Sequence, residues 1–370
     1  MNQLRVATIV GTRPEIIKMS RIMARFDEYF DHQWIHTGQN WSPNLRDILL
    51  QELALREPDA QGSVSSTSPA TQLAQMLEFV DTTLDRIRPD VVVVLGDTNS
   101  ALTVYSARRR GVPVFHLEAG NRCFNDRTPE ELNRRLVDHM SSVNLPYSEH
   151  ARQNLLREGV RPDRIFVVGS PQREVLDHYK RQIASSDAAR RRGLLEGSYI
   201  LASLHREENV DDDEQRQKML DALQRCAREL SKPILLVVHP RLEKRLGKIT
   251  LGDQILTSPS PGFIEYLSLS MTAMCVVSDS GTITEEASIL GFPAVMLRQW
   301  HERPEGMDVG AVGMGDTHSL CAAVRRAVEI RSIQPHPQVA AYLPTDVSLR
   351  VTNIVGSYAE AARDDTRALV

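Results

Sequence analysis

Short, β-branched apolar runs alternate with helical segments along almost the whole chain, and this rhythm restricts the fold more than any other feature. Val91–Leu95 runs into Gly96 and Asp97, Val114–Leu117 runs into Glu118, Ala119 and Gly120, and Ser100 to Arg110 between them carries a helical pattern. Runs this short and this apolar read as neighbouring strands buried in a parallel sheet. The expected strands are Leu4–Val10, His32–His36, Val91–Leu95, Val114–Leu117, Ser142–Leu145 and Ile165–Val168, then Tyr199–Ser203, Ile234–Val238, Gln254–Leu256, Cys275–Ser278 and Ala294–Met296. Such alternation implies right-handed βαβ units, hence an α/β fold of parallel sheets. A chain of 370 residues exceeds what one core usually spans, and the strands are too many for one comfortable sheet. The break at Gly169, Ser170 and Pro171 is the expected boundary between domains at 1–170 and 171–346. Helical periodicity from Val347 to Ala362 predicts a tail helix, within 347–370, that packs back on the first domain.

In a doubly wound sheet, ligands bind at the carboxyl ends of the strands. Asp97 and Glu118 stand there and share one crevice, with Glu130 and Glu131 as a third acidic group nearby. Several carboxylates converging on one pocket point to proton transfer.

Two strand-to-helix turns are candidate anion sites. Gly11, Thr12, Arg13, Pro14 and Glu15 open a helix that continues through Lys18; a helix N-terminus presents free N–H groups, and Arg13 and Lys18 add positive charge. The same segment is also compatible with an ordinary tight turn. Ser278, Asp279, Ser280, Gly281 and Thr282 form the second turn, before a helix carrying Glu285 and Glu286. Small residues there let the backbone approach a diphosphate, with Ser280 and Thr282 as hydroxyl donors, Glu286 or Glu285 for ribose hydroxyls and Arg303 adding charge. The alternative is a helix whose Ser and Thr cap their own backbone. His205 and His239 each follow a strand end, where a histidine bonds phosphate or acts as an acid near neutral pH, or is simply a loop residue. His116, inside an apolar strand, reads as a satisfied structural residue, and Trp34, Trp41 and Trp300 as packing residues.

A net charge of −4 without a dense basic block gives no indication of nucleic acid or an anionic membrane as partner. Cys123, Cys226, Cys275 and Cys321 lack zinc or disulfide spacing, which fits a reducing compartment. A strand begins within a few residues of Met1 and no apolar stretch reaches membrane-spanning length, so a cytoplasmic protein is expected.

Together the segments GTRPEIIKM (11–19), HTGQN (36–40), GDTNS (96–100), HLEAGNR (116–122), PEELNRR (129–135), HREEN (205–209), SDSGTITEEA (278–287) and ERPEG (302–306) resemble the non-hydrolysing UDP-N-acetylglucosamine 2-epimerases over essentially the whole chain. The resemblance implies two Rossmann-like, doubly wound domains of the GT-B-like kind, with the active site in the interdomain cleft. It implies a homodimer acting on a UDP-sugar, with neither cofactor nor metal. On this basis Asp97, Glu118 and Glu130 fall on the acid and base positions and His205 on the family's functional histidine. Arg13, Lys18, Ser280, Gly281, Glu286 and Arg303 fall on nucleotide-sugar contacts, and His239 and Thr282 join them as substrate-binding candidates. The implied reaction eliminates UDP to a 2-acetamidoglycal and adds it back with the C2 proton on the other face.

Asn40, Trp41, Ser42 and Thr282 depart from the best-known members, and the first three put an allosteric second UDP-sugar site in doubt. Gly120 to Phe124 and Ser280 to Thr284 look more like the branch that forms UDP-N-acetyl-L-fucosamine from UDP-2-acetamido-2,6-dideoxy-L-talose for capsule or O-antigen synthesis. Interconversion of UDP-GlcNAc and UDP-ManNAc is the alternative within the family. A glycosyltransferase of the same build is the alternative outside it, although that chemistry needs one base at most.

Overall fold

The computed structural model describes residues 3–39, 43–65, 68–246, 251–334 and 337–367. Asn40, Trp41 and Ser42, three of the residues that depart from the best-known members, lie outside the described residues. Among the described residues, twelve strands are arranged in two six-stranded sheets. The first holds β1 (Arg5–Val10), β2 (Asp31–His36), β3 (Ala60–Gln61), β4 (Val91–Leu95), β5 (Val114–Leu117) and β6 (Val143–Leu145). The second holds β7 (Ile200–Leu204), β8 (Ile234–Val238), β9 (Ile255–Pro259), β10 (Cys275–Ser278), β11 (Ala294–Met296) and β12 (Gly313–Met314).

The orders are β3-β2-β1-β4-β5-β6 and β9-β8-β7-β10-β11-β12, and every pairing is parallel. Counted within its own sheet, each is the doubly wound order 3-2-1-4-5-6, reversing between β1 and β4 and between β7 and β10. The apolar runs explain this arrangement. Val91 to Leu95 are buried at every position, as strands with helices on both faces must be. In the second sheet Ile200, Ala202 and Leu204 enter one core cluster while Leu201 enters another with Leu235 and Val237, so the two faces carry separate cores.

The chain divides into two compact units, Met1–Asp177 with Ala340–Val370, and His178–Val339. The helix Val347–Arg367 belongs to the first unit. There Ser348 donates to the Glu174 carboxylate through N (2.8 Å) and Oγ (2.5 Å), Arg363 pairs with Asp90 at 2.7 Å, and the Tyr358 and Phe166 rings lie 4.6 Å apart.

Ile165–Val168 is not a strand. Phe166 N–H donates to Asn144 O and Val168 N–H to Pro146 O, each at 3.0 Å, but only one bridge, Asn144 to Ile165, forms. Pro146 has no N–H to donate, so the ladder ends there. The segment after β4 is a 3₁₀ turn, Ala101–Thr103, followed by the helix Val104–Arg109. Strands β3 and β12 span two residues each, too few to leave a periodic pattern.

Candidate active site

In the first unit the carboxyl ends of β1, β4 and β5 converge with the helix Pro129–Met140. Glu118, the first residue after β5, adopts φ +64°, the left-handed region that a side chain with a Cβ rarely visits. Its Oε2 accepts from Lys18 Nζ at 2.7 Å, and the ammonium lies 5.4 Å from the Tyr147 ring centroid. Both side chains of the pair are nearly buried, at 4% and 11% exposure. Asp97, half-buried after β4, accepts from Arg134 Nη2 at 2.5 Å and Nε at 2.9 Å. Asn133 on the same helix donates to the Asp97 carbonyl at 2.9 Å and to Asn99 Oδ1 at 3.1 Å, tying the helix to this turn.

Glu130 and Glu131 have different surroundings. Glu130 is half-buried on the first turn of the helix, whereas Glu131 is 1% exposed and anchors the preceding loop. Glu131 accepts from Cys123 N–H (2.9 Å), Phe124 N–H (3.3 Å), Arg134 (3.0 Å) and Arg135 (3.0 Å). Burial opposes its ionisation, but the Cys123 N–H, Arg134 and Arg135 outweigh that and hold its pKa below the ordinary range.

The turn after β1 serves its own protein. Glu15 Oε2 accepts from Gly11 N–H at 2.6 Å and Thr12 N–H at 2.8 Å, and Oε1 accepts from Thr98 Oγ1 at 2.5 Å. Glu15 thus bonds the two amides just ahead of the helix Arg13–Tyr29 and, with Thr12, forms its capping box. Burial pushes Glu15 up to about 7, against the pull of the Thr98, Gly11 and Thr12 bonds. Gly11 is required by close approach, since a Cβ there would fall 1.8 Å from Ser100 Oγ. Ser100 also meets Thr37 Oγ1 at 2.7 Å and donates to Gln39 Oε1 at 2.7 Å, so the 11–15, 36–39 and 96–100 segments form one network.

In the second unit Asp279, wholly buried after β10, accepts from His205 N–H (3.1 Å), Arg206 N–H (3.0 Å) and Asn209 Nδ2 (3.1 Å), and from His205 Nδ1 at 3.0 Å. Burial would raise its pKa, yet the His205 ring and these donors hold it far below the ordinary range. His205, 36% exposed, therefore presents Nε2 outward; the His239 ring, exposed, is centred 6.0 Å away. Ser280 Oγ meets Thr282 Oγ1 at 3.0 Å and lies 3.4 Å from Thr282 N, so the hydroxyls of this turn also cap their own segment. Gly281 faces Glu302, which pairs with Arg298 at 3.3 Å. Arg303 is 2% exposed and pairs with Glu285 at 3.2 Å, while Glu286 is buried one residue on. Arg13 is half-buried at the start of its helix.

A family model of UDP-N-acetylglucosamine 2-epimerases matches residues 24–356. The chain belongs to the UDP-N-acetylglucosamine 2-epimerase family. As such it is an isomerase. Among curated relatives it is 35% identical to the UDP-N-acetylglucosamine 2-epimerase of Methanocaldococcus jannaschii over 88% of this chain and 92% of that one. It is 31% identical to the UDP-2,3-diacetamido-2,3-dideoxy-D-glucuronate 2-epimerase of Pseudomonas aeruginosa, over 91% and 95%. The structure of the Rickettsia bellii UDP-N-acetylglucosamine 2-epimerase superposes with a TM-score of 0.90 at 39% identity, covering 97% of this chain and 98% of that one. The M. jannaschii enzyme in complex with UDP-GlcNAc and UDP gives 0.88 at 33% identity, over 96% and 100%. The two-sheet, GT-B-like architecture is shared with these structures.

Within this epimerase, sequence reasoning missed four partners: Arg134 on Asp97, Asp279 on His205, Glu15 at the first helix and Glu285 on Arg303. Three of the pairings join residues from different strand ends or loops, whereas Glu15 meets Gly11 and Thr12 within its own turn, and only there, in the spacing Thr-x-x-Glu of a capping box, was there a local signal. Trp34 packs, 2% exposed with its Nε1 donating to Glu57 O at 2.9 Å, whereas Trp300 is 52% exposed in the loop after β11. Trp41 lies outside the described residues. No described helix is long and apolar enough to cross a membrane.

Proposed function

We propose that this epimerase inverts C2 of a UDP-N-acetylhexosamine by eliminating UDP and adding it back. A proton at C2, beside an acetamido carbon and not a carbonyl, is barely acidic; removing it as the C1–O bond breaks avoids a free carbanion. That route asks for proton-handling groups near C2 and for cations and helix dipoles around the departing diphosphate. Asp97, Glu118 and Glu130 serve the first need. His205, Ser280, Gly281, Thr282 and Arg303 serve the second, with Arg13, Lys18, His239 and Glu286 completing the contacts to the nucleotide sugar. The observation that carries the reading is Glu118, a carboxylate kept at φ +64° with Lys18 2.7 Å away. Non-glycine residues in that region persist where the surroundings over-determine them, commonly at active sites.

Within that reaction the sugar is the 6-deoxy-L-talo nucleotide that yields UDP-N-acetyl-L-fucosamine for a surface polysaccharide. Support comes from the resemblance of Gly120 to Phe124 and Ser280 to Thr284 to that branch. Interconversion of UDP-GlcNAc and UDP-ManNAc is the second reading, favoured by relatives named for it at 35% identity. At 31% identity another relative is named for a different sugar, so the sugar changes within the family at this distance. A homodimer in the cytoplasm belongs to the same proposal.

The test is turnover in heavy water with UDP-GlcNAc and with the 6-deoxy-L-hexosamine nucleotides. One deuterium at C2 of the product is expected, with free UDP and a glycal appearing slowly. Product without solvent-derived deuterium rules out elimination, and sugar transfer without C2 inversion would make the protein a transferase.

A further inference from the structure

One buried charged cluster takes no part in the proposed chemistry. His116 on β5 and Asp138 on the helix Pro129–Met140 are both fully enclosed, with side-chain exposures of 0%. His116 Nδ1 lies 2.9 Å from Asp138 Oδ1, and His116 Nε2 lies 2.8 Å from the Gly96 carbonyl. The other Asp138 oxygen pairs with Arg122 Nη1 at 2.8 Å, and the carboxylate accepts from Gly120 N–H at 3.1 Å. Arg122 in turn makes a two-pronged pair with Glu158, at 2.5 and 2.8 Å.

These contacts fall where the sheet stops supplying partners. The β4 and β5 ladder runs through Leu95 and Leu117 and ends on Gly96 N–H donating to Leu117 O at 3.0 Å. Beyond it both chains turn through left-handed residues, Gly96 (φ +76°), Glu118 (φ +64°) and Gly120 (φ +80°). The Gly96 carbonyl precedes Asp97, and the Gly120 amide comes two residues after Glu118. Buried backbone groups outside a ladder need another partner. His116 supplies it to the first and Asp138 to the second.

We infer that His116 and Asp138 are positioning residues of the epimerisation: a strut that sets the separation between the turn bearing Asp97 and the turn bearing Glu118. A proton relay between acid and base positions is sensitive to displacements of about 1 Å, which makes such a strut matter for turnover more than for nucleotide binding. The donors and acceptors have a second consequence. Both ring nitrogens of His116 face oxygens, the Asp138 carboxyl and the Gly96 carbonyl, and against an ionised carboxylate the ring donates to both only when both nitrogens carry hydrogen.

The inference rests on the proposed roles of Asp97 and Glu118, and the experiment keeps the two apart. Asp138→Asn and His116→Gln are prepared in the full-length enzyme, and turnover is expressed per folded molecule, with UDP affinity measured alongside. Loss of kcat and of C2 deuterium incorporation by about 10 to 100-fold is expected, with KM and UDP affinity changed less than about threefold. Should Asp138→Asn fail to fold, His116→Gln decides. In parallel, the parent enzyme labelled with ¹⁵N-histidine should show a ring with hydrogen on both nitrogens that disappears in His116→Gln. A kcat per folded molecule within about twofold of the parent in the folded variants, or a His116 ring with hydrogen on one nitrogen only, overturns the strut. A parent enzyme that epimerises no UDP-hexosamine would instead overturn the proposed function, while the ring signature still reports on His116.

Discussion

The two units share one topology and set different side chains at their strand ends. Each winds its sheet in the order 3-2-1-4-5-6 and opens a helix directly after its first strand or at its switch point. In the first unit the strand ends are crowded with carboxylates, each matched to a cation or to backbone N–H groups: Glu118 to Lys18, Asp97 and Glu131 to Arg134, Glu15 to Gly11 and Thr12. In the second unit the strand ends carry an oriented imidazole, hydroxyls and a buried guanidinium. The contrast is clearest at the helix N-termini. At the first, Glu15 bonds the Gly11 and Thr12 amides just ahead of the helix, whereas the second is lined by Ser280, Gly281 and Thr282. A shared fold therefore locates a site without specifying it, and in the proposed reaction the side chains at the strand ends decide which half moves protons and which holds an anion.

That contrast can be broken in order of expected effect. Asp97→Asn, Glu118→Gln and Glu130→Gln each remove a titrating proton while keeping volume. Epimerisation should fall by about 100 to 10,000-fold with UDP affinity retained, as measured by coupled turnover and calorimetric titration. If all three turn over at the parent rate, the first unit does not perform the proton chemistry.

Glu15 provides the next test. Its carboxyl is raised from the ordinary 4.5 to about 7. Between those values the folded protein retains a proton that the unfolded chain has released, so stability should fall as pH rises through that window and level off above it. The full difference is about 3 kcal/mol at most. Glu15→Gln should flatten the dependence in thermal unfolding from pH 5 to 8; an unchanged slope would mean that the buried carboxylate does not titrate there.

Arg303→Ala sharpens the second half of the comparison. Loss of one charge-assisted contact is worth roughly 1.5 to 3 kcal/mol, about 10 to 100-fold in UDP affinity and turnover of the folded enzyme. Because Glu285 would then stay buried without this guanidinium, the melting temperature should drop as well. Unchanged UDP affinity and turnover would remove Arg303 from the nucleotide site.

The smallest effect is expected at Glu131. Glu131→Gln weakens the anchoring of the Cys123 and Phe124 amides and should lower stability by about 1 to 3 kcal/mol, with a smaller loss of turnover than Glu130→Gln. A larger catalytic loss at Glu131 than at Glu130 would exchange the roles of these neighbours.

Much of this was legible in the residues themselves. Fully apolar, β-branched runs such as Val91–Leu95 have few alternatives to a buried parallel strand. The residues just after such a run stand at its carboxyl end, so local pattern sufficed to place Asp97, Glu118, His205 and Ser280. The exception, Ile165–Val168, failed on a residue outside the run, Pro146, whose missing N–H stops the ladder from the neighbouring strand.

What the tertiary structure alone decided is who meets whom. Arg134 reaches Asp97 across 37 positions of chain, Lys18 reaches Glu118 across 100, and Asp279 holds the amide and ring of His205 across 74. Periodicity and propensity act over a few residues, so they specify strands, helices and the turns between them. Charge pairing and burial depend on distance in space, which exists only once parallel crossovers have brought remote strand ends side by side.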